Sequence, residues 1–249
     1  PGPVPVPVPE VAWRPPASRA DKSRPEVTAI VRYHKSSDPR LLAKALYCLA
    51  AMQDCRVVPL IAVQDLDDDQ LAAVRRLLDE VPFADGVVPL VQEYRSAGGN
   101  GDLRAKMLNE SLKQVATRYA AFLDYDDLLM PHAYAWLLER LQRTGQAVSF
   151  GRVYSTTCDT ATGLLLERKR VYEYGYGYDD FLQLNHAPIH SFMLDLRQLD
   201  LSGLEYHEDQ RYLEDYLLTL QLFTAGNADW ASLAENHYLG DYIHSVDRD

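Results

Sequence analysis

Three aspartates lie within four residues, Asp124, Asp126 and Asp127, directly after the apolar run 119–123. Carboxylates this close repel one another, so a chain that concentrates them at the end of a buried strand usually needs a compensating cation. Oxygen ligands favour Mg²⁺ or Mn²⁺. A cation bridging Asp126 and a diphosphate would neutralise the negative charge on a departing nucleotide. A second interpretation stays open, in which Asp126 or Asp127 caps the helix expected after Pro131.

The first half of the chain alternates between strand and helix patterns, which predicts a mostly parallel sheet covered on both faces. Asp38-Pro39 gives one helix a capping side chain and a first-turn proline. Ligands bind beyond the carboxyl ends of strands in such sheets, which is where the aspartates fall. The predicted strands are 27–33, 57–63, 87–91 and 119–123, and the predicted helices follow Asp38, follow Asp67, and span 102–116 and 131–143.

The second half has less regular patterns. It predicts a Tyr- and Gly-rich loop at 172–178 and a helix at 208–225. The predicted strands of this half are 147–154, 164–171, 189–194 and 229–233.

Length and charge limit the possible functions. A chain of 249 residues fits one large α/β domain. With 25 Lys and Arg against 36 Asp and Glu, the formal charge is -11, which opposes broad attraction to nucleic acid or anionic lipid. A phosphate-bearing ligand would therefore need a divalent cation or a few well-placed basic residues. No nucleic-acid partner is expected.

Cysteine use and hydropathy suggest the compartment. Cys48, Cys55 and Cys158 lack close metal-ligand spacing and suit a reducing environment. No run approaches the roughly 20 apolar residues that a membrane helix needs. We expect a cytoplasmic protein, with peripheral contact at the inner face of the membrane left open.

A proline-rich segment, 1–26, precedes the first predicted strand. Prolines at this density neither pair in a sheet interior nor propagate a helix, so we expect an extended linker. Such a linker suggests that the domain was cut from, or hangs beside, a larger assembly, with neighbouring enzyme domains as candidate partners. A segment foreign to the protein is the alternative. The folded domain is predicted to cover 27–249.

Six sequence motifs occur in an order that resembles the GT-A glycosyltransferases. The resemblance is to the large inverting family of bacterial polysaccharide and O-antigen transferases (glycosyltransferase family 2-like), and it covers nearly all of 27–249. The motifs are Val31-Arg-Tyr-His34, Gln64-Asp65, Asn100-Gly101 with Arg104-Ala-Lys-Met-Leu-Asn109, Tyr119-Ala-Ala-Phe-Leu-Asp-Tyr-Asp-Asp-Leu-Leu-Met-Pro131, Arg211-Tyr-Leu-Glu-Asp-Tyr-Leu-Leu-Thr-Leu220 and Tyr242-Ile-His244.

The resemblance implies a GT-A, Rossmann-like fold with a nucleotide-sugar-binding half at 27–130 and a smaller acceptor-side half at 131–249. It also implies metal-dependent, inverting transfer of a sugar from a nucleoside diphosphate sugar to a hydroxyl of a glycan or glycolipid acceptor. The setting implied is surface polysaccharide biosynthesis, and the implied cofactor is Mn²⁺ or Mg²⁺.

Donor-side roles follow from the resemblance. Tyr33 would pack on the nucleotide base and Asp65 would accept from a ring N–H, although a core aromatic and a helix-start cap are the alternatives. Arg104 or Lys106 would pair with phosphate, unless both belong to a solvated helix face. Asp124 is assigned to the donor, and the implied metal ligands are Asp126, Asp124 and His244; a surface or packing role is the alternative for His244.

Acceptor-side roles also follow from the resemblance. Asp215 matches the general base that takes the acceptor proton, and Glu214 would orient the acceptor. Segment 185–191 would line the acceptor cleft, with a turn that enters a strand as the alternative. An acidic first helical turn, favoured by the helix dipole, is the alternative. The pair Glu208-Asp209 is a second candidate, but the match to Tyr216-Leu217 and Leu220 favours Asp215.

The chain also departs from the family pattern. Arg32 to Lys35 replaces a segment that often contains proline, and Gln64 replaces a commonly acidic residue. The Gln-x-x-Arg-Trp motif of processive synthases is absent, which favours formation of a single linkage or a short chain. Two other functions remain. One is a sugar nucleotidyltransferase, although 32–38 has no glycine, and the other is a degenerate transferase-like module that binds a partner enzyme.

Overall fold

The computed structural model describes residues 24–84, 86–99, 101–159, 162–205 and 212–246. Most of the predicted linker 1–26, together with Asn100, lies outside the described residues, as does Glu208-Asp209. The described strands are β1 (Glu26–His34), β2 (Arg56–Gln64), β3 (Leu90–Tyr94), β4 (Tyr119–Asp124), β5 (Leu128–Leu129), β6 (Val148–Phe150), β7 (Arg152–Asp159), β8 (Leu165–Val171), β9 (Phe192–Asp195) and β10 (Tyr238–Val246). The described α-helices are α1 (Pro39–Ala50), α2 (Asp68–Glu80), α3 (Arg104–Lys113), α4 (Ala133–Thr144), α5 (Tyr178–Phe181) and α6 (Glu214–Leu222).

The larger sheet is six-stranded, with the order β3-β2-β1-β4-β9-β6. Strands β1 to β4 run parallel, and β9 is antiparallel to both β4 and β6. The expectation of a mostly parallel α/β sheet is confirmed. This sheet takes strands from both predicted halves of the domain, and a second sheet has the order β5-β10-β7-β8.

Alternating side chains on β1 explain why helices cover both faces of the larger sheet. Val27, Ala29 and Val31 belong to a core that includes buried residues of α1, α2 and α4. Ile30 belongs to a second core, with buried residues of α3 and α6. Among the described residues, no helix has both the length and the apolar character to cross a bilayer.

Helix starts in the first half follow the local sequence. The Asp38 side chain accepts from the Arg40 N–H, and proline opens α1 as predicted. Asp67 caps α2 and forms a reciprocal capping box with Gln70. The alternative interpretation of Asp65 as the cap of this helix is therefore wrong.

Four expected strands differ in the structure. In 189–194, residues Ile189–Ser191 form a 3₁₀ turn and β9 begins only at Phe192. Residues 87–91 were expected to pair, but β3 begins at Leu90. Segment 147–154 is divided between the two sheets at Gly151, where an added Cβ would lie 2.4 Å from Leu239 Cγ. Expected strand 229–233 is instead a 3₁₀ turn, Trp230–Glu235, because Trp230 and Leu233 both bury on one core at a spacing of three residues.

Close packing at Gly240 fixes β10 against β5, and a side chain there is expected to be costly. A Cβ at Gly240 would lie 2.0 Å from the Leu128 carbonyl oxygen, whereas one at Gly226 meets nothing within 4 Å. We expect Gly240→Ala to lower the free energy of unfolding by about 1–3 kcal/mol because a backbone must shift. Gly226→Ala is the matched control, and equal urea midpoints for the two variants would contradict this packing.

Candidate active site

The carboxyl ends of β1, β2 and β4 meet at one edge of the larger sheet. The register places Arg32 opposite Asp124 and His34 opposite Gln64. The order of strands reverses between β1 and β4, the point at which open α/β sheets form their ligand crevice. A cavity of about 230 Å³ opens at this edge, beside Arg32 and Asp124, and other residues lining it are Tyr33, His34, Gln64, Arg104, Tyr125 and Asp126.

A larger cavity, of about 580 Å³, lies at the amino ends of the same strands. Arginines dominate its lining, and it includes neither an acidic cluster nor any residue assigned from the motifs; the arginines are Arg24, Arg56, Arg118 and Arg197. Cavity size alone would favour the larger cavity as the ligand site. The direction of the strands favours the smaller one, because ligands bind at the carboxyl ends of the strands in this architecture.

Arg32 connects the β4 aspartate with the start of α6. Its Nε and Nη2 donate to the two Asp124 carboxylate oxygens at 2.7 and 2.6 Å, and Nη1 donates to Glu214 Oε1 at 2.8 Å. Burial disfavours the charged guanidinium, but the carboxylates outweigh it and raise the pKa of Arg32. Burial would likewise raise the pKa of Asp124, yet Arg32 holds it below its usual range. Sequence reasoning noted Arg32 only as a departure from the family pattern.

Two guanidiniums therefore surround the buried Glu214 carboxylate. Besides Arg32, Arg104 Nη1 lies 3.4 Å from Glu214 Oε1, and Arg104 also pairs with Asp102 at 2.8 Å. Arg104 lines the cavity, whereas Lys106 is absent from the lining and pairs with Glu110 at 3.7 Å on the face of α3. Of the two residues expected near phosphate, Arg104 has the suitable position.

Asp126 is the carboxylate of the cluster that no other charged side chain in the described ranges pairs with. Its own backbone N–H donates to it, but no side chain in those ranges donates a hydrogen bond to it or forms an ion pair with it. Burial and the charges of Asp127 and Asp124 together raise the pKa of Asp126 to about 7. The Asp126 carboxylate therefore lacks a cationic partner, and Asp126 lines the cavity.

Asp127, by contrast, has a structural role, because both of its carboxylate oxygens contact other parts of the fold. Its Oδ1 accepts from the Ile243 N–H at 2.8 Å, and its Oδ2 lies 3.0 Å from His190 Nδ1. Burial opposes protonation of His190, but Asp127 raises the pKa of that imidazole. Helix α4 begins after His132 without a side-chain cap, so the interpretation of Asp126 or Asp127 as its cap is wrong.

The expected metal ligands, Asp124, Asp126 and His244, do not form a complete cation site by themselves. No group of three or more His, Cys, Asp or Glu side chains in the described part of the chain is arranged to hold a cation. Both Asp124 oxygens accept from Arg32, and His244 is exposed on β10 beside Tyr242, with ring centroids 4.9 Å apart. Mg²⁺ sites often use one or two carboxylates and complete their coordination with substrate phosphates and water. Asp126 fits a site of that kind.

Aromatic rings line the cavity at the end of β1. Tyr33 is buried, and its hydroxyl donates to the Ser37 carbonyl at 3.1 Å. The Tyr125 ring packs edge-on against Tyr33 and against His34, with centroids 5.7 Å apart in both pairs. Tyr125 and His34 are partly exposed and received no role from sequence reasoning, although both stand inside the recognised motifs.

The Asp65 carboxylate organises the loop after β3. It accepts from the Ser96 N–H at 2.8 Å, from Ser96 Oγ at 2.6 Å and from Gln64 Nε2 at 3.0 Å. Burial would raise the pKa of Asp65, but these donors lower it. A carboxylate offers about four acceptor positions, so little capacity remains for a base N–H. Asp65 is also absent from the cavity lining.

Asp215 lies across Arg32 from the aspartate cluster. Its Oδ1 accepts from the Tyr216 N–H at 2.8 Å. Burial raises the pKa of Asp215, and Glu214 and Asp124 add to that effect against the opposing charge of Arg32. Tyr172 and Tyr242 pack together at 4.5 Å, and the Asp215 charge contributes to the raised pKa of both. Asp215 is therefore a partly buried carboxylate whose surroundings favour its protonated form.

No protein-family model and no curated protein matches the chain. Among solved structures, S. aureus TarS 1-349 superposes with a TM-score of 0.58 at 14% identity, covering 88% of this chain and 60% of that chain. The same TarS fragment bound to UDP gives 0.57 at 16% identity, covering 88% and 61%. Its complex with UDP-GlcNAc gives 0.56 at 15% identity, covering 88% and 58%.

These likenesses establish the fold. TarS is a GT-A glycosyltransferase, and the six-stranded mostly parallel sheet with flanking helices is the GT-A architecture. The chain spans about three fifths of the length of the TarS fragment it matches.

Proposed function

We propose that this chain transfers a sugar from a nucleoside diphosphate sugar to a hydroxyl of a glycan or glycolipid acceptor, with a divalent cation and with inversion at the anomeric carbon. The observation that carries the proposal is the unpaired Asp126 carboxylate, which faces a cavity at the β1/β4 crevice of a GT-A fold. The TarS complexes with UDP and UDP-GlcNAc support a nucleotide-sugar donor.

On the donor side, Asp126 would hold the cation together with the diphosphate. Such a cation, when bound, stabilises the negative charge that develops on the leaving group. Arg104 supplies a partly exposed guanidinium beside the same cavity, where a diphosphate oxygen can accept from it. His34 and Tyr125 offer ring surfaces to the nucleotide base.

On the acceptor side, Asp215 would take the hydroxyl proton as the oxygen attacks the anomeric carbon. A carboxylate opposite the leaving diphosphate is what a single inverting displacement needs. The Arg32 bridge fixes Glu214, the residue before this base, and so holds the start of α6 against the donor edge. Glu214 thus positions the helix, because its own carboxylate is occupied by guanidinium groups.

We further propose surface polysaccharide assembly on the cytoplasmic side of the membrane as the setting of this reaction. The support is the ordered set of sequence motifs.

Asp126→Asn tests the proposed donor site. If the cation is held jointly by Asp126 and the diphosphate, Mn²⁺ and UDP must raise each other's affinity by the same factor, typically about 5–150-fold. Calorimetric titration of the wild type should show weak Mn²⁺ binding alone and tight UDP binding only with Mn²⁺. We expect Asp126→Asn to weaken UDP binding in Mn²⁺ by about 10–100-fold and to leave metal-free UDP binding unchanged.

Asp79→Asn, on the exposed face of α2, is the matched control and should behave like the wild type. A panel of nucleoside diphosphate sugars, read by release of nucleoside diphosphate, then identifies the donor. Failure of every nucleotide to bind would favour the binding-module alternative. Release of pyrophosphate from a nucleoside triphosphate and a sugar phosphate would favour the nucleotidyltransferase.

A further inference from the structure

The loop from Tyr172 to Tyr178, which we term the tyrosine loop, presents two aromatic rings to solvent. The side chains of Tyr174 and Tyr176 are 55% and 56% exposed. Single exposed aromatics are common, but rings held side by side on a fixed backbone form a surface that water solvates poorly. The function of such a surface depends on whether the backbone beneath it is rigid.

Arg152 fixes the tyrosine loop from below. It is only 2% exposed, and no carboxylate in the described ranges forms an ion pair with it. Its Nη2 and Nη1 donate to the carbonyls of Gly175 at 2.9 Å and Glu173 at 3.4 Å, and its Nε donates to that of Leu233 at 3.2 Å. The buried charge is therefore met by the loop backbone, which holds alternate carbonyls inward.

Three further contacts fix the same segment. Gly175 lies so close to His186 that an added Cβ would be 1.9 Å from Cδ2 of the imidazole. The Tyr176 N–H donates to Asp180 Oδ2 at 2.8 Å, and His186 Nε2 lies 3.4 Å from the Gly177 carbonyl. The loop is thus anchored along its length, so its exposed rings have defined positions.

The aromatic surface extends onto the second sheet. The Arg152 guanidinium carbon lies 6.0 and 5.0 Å from the ring centroids of Tyr174 and Tyr176. Tyr238 stacks on Tyr154 with centroids 4.1 Å apart, and Tyr238 lies opposite Arg152 in the register of β10 and β7. We call the four residues Tyr154, Tyr174, Tyr176 and Tyr238 the tyrosine platform.

The tyrosine loop begins beside the candidate active site. Tyr172, at the start of the loop, packs on Tyr242 at 4.5 Å and lies near Asp215. Tyr176 is four positions along the chain from Tyr172, so their Cα atoms are at most about 14 Å apart. A chain molecule that presents its end to Asp215 can therefore reach the exposed rings.

Sugar rings match this surface chemically. Their C–H groups carry partial positive charge that suits the negative faces of aromatic rings, while tyrosine hydroxyls bond to sugar hydroxyls. A nucleic acid is disfavoured, because the chain carries a formal charge of -11 and Arg152 is buried. We propose that the tyrosine platform binds a glycan acceptor at sugar units beyond the one that receives the donor sugar, an inference that rests on the proposed transfer function.

The test compares Tyr174→Ala/Tyr176→Ala with Tyr174→Phe/Tyr176→Phe and with Tyr47→Ala, which removes a half-exposed ring from α1. An array of bacterial surface glycans first identifies a binding glycan, which is then titrated as a series from monosaccharide to hexasaccharide. We expect the double alanine variant to bind the longest member about tenfold more weakly. Affinity for the monosaccharide, and for UDP with Mn²⁺, should stay unchanged, and the phenylalanine pair and Tyr47→Ala should retain long-chain binding.

Four outcomes would overturn the platform. They are an equal loss for short and long glycans, no loss at all, loss of UDP binding in the alanine variant, and wild-type binding of nucleotide sugar without any glycan on the array. If the wild type self-associates and the alanine variant does not, the platform binds a second copy of the chain and not a glycan. A length-dependent glycan effect in a protein that binds no nucleotide would support the platform and reject the proposed transfer instead.

Discussion

Asp215→Asn is expected to lower the turnover number by about 10²–10⁴-fold, because general-base catalysis typically contributes that much. The amide cannot accept the acceptor proton, yet it keeps the size of the side chain and can still accept from the Tyr216 N–H. Binding of UDP with Mn²⁺ should stay within about twofold, since Asp215 is absent from the lining of the donor cavity. Steady-state kinetics with the donor found in the panel, together with calorimetric titration, measures both quantities.

Asp79→Asn again provides the matched control for loss of an aspartate charge. If Asp215→Asn weakens donor binding and turnover to the same extent, its role is structural. If it leaves turnover intact, the base is another group, and Glu208-Asp209, outside the described residues, becomes the next candidate. Slow hydrolysis of the donor in water should persist in Asp215→Asn when the acceptor is omitted.

Arg32→Met is expected to produce the largest loss of stability, about 3 kcal/mol in the free energy of unfolding. The substitution leaves Asp124 and Glu214 without their shared cation, and the Glu214 side chain is only 6% exposed. This figure is at the low end for a broken buried pair because 25% of the Asp124 side chain reaches solvent. Urea denaturation monitored by tryptophan fluorescence gives the measurement.

Two comparisons isolate the bridge itself. Arg40→Met removes an arginine whose side chain is 69% exposed and pairs with Asp38, so we expect a much smaller loss of stability than for Arg32→Met, because solvent screens exposed ion pairs. Arg32→Met/Glu214→Gln should recover part of the stability, because it removes the stranded charge, and the double-mutant cycle measures the coupling. A loss for Arg32→Met no larger than that for Arg40→Met would show that the bridge contributes little.

The strands and helices of the first half could be predicted because local signals agree there. Asp38-Pro39 fixes the start of α1, and the capping box at Asp67 fixes the start of α2. Each of these signals involves no more than four consecutive residues. Apolar runs of strand length between them lead to a parallel sheet, and parallel strands bring their carboxyl ends to one edge. The position of Asp126 at that edge was therefore predictable from the sequence.

Local signals were insufficient in the second half. Segment 229–233 has the composition of a short strand, but burial of Trp230 and Leu233 on one core favours a 3₁₀ turn. Strand β10 was not predicted, although its Tyr242-Ile243-His244 motif was recognised. Its position depends on contacts distant in sequence, including the close approach of Gly240 to Leu128.

The sequence by itself determined the α/β architecture and the edge of the sheet at which chemistry would occur, because both depend on short-range patterns. Only the tertiary structure decided which aspartate of the cluster is unpaired. Arg32 reaches Asp124 from the neighbouring strand, 92 residues earlier in the chain, and His190 and the Ile243 N–H reach Asp127 from more than 60 residues away. Asp126 is left without such a partner, and no spacing rule contains that information because the partners are brought together only by folding.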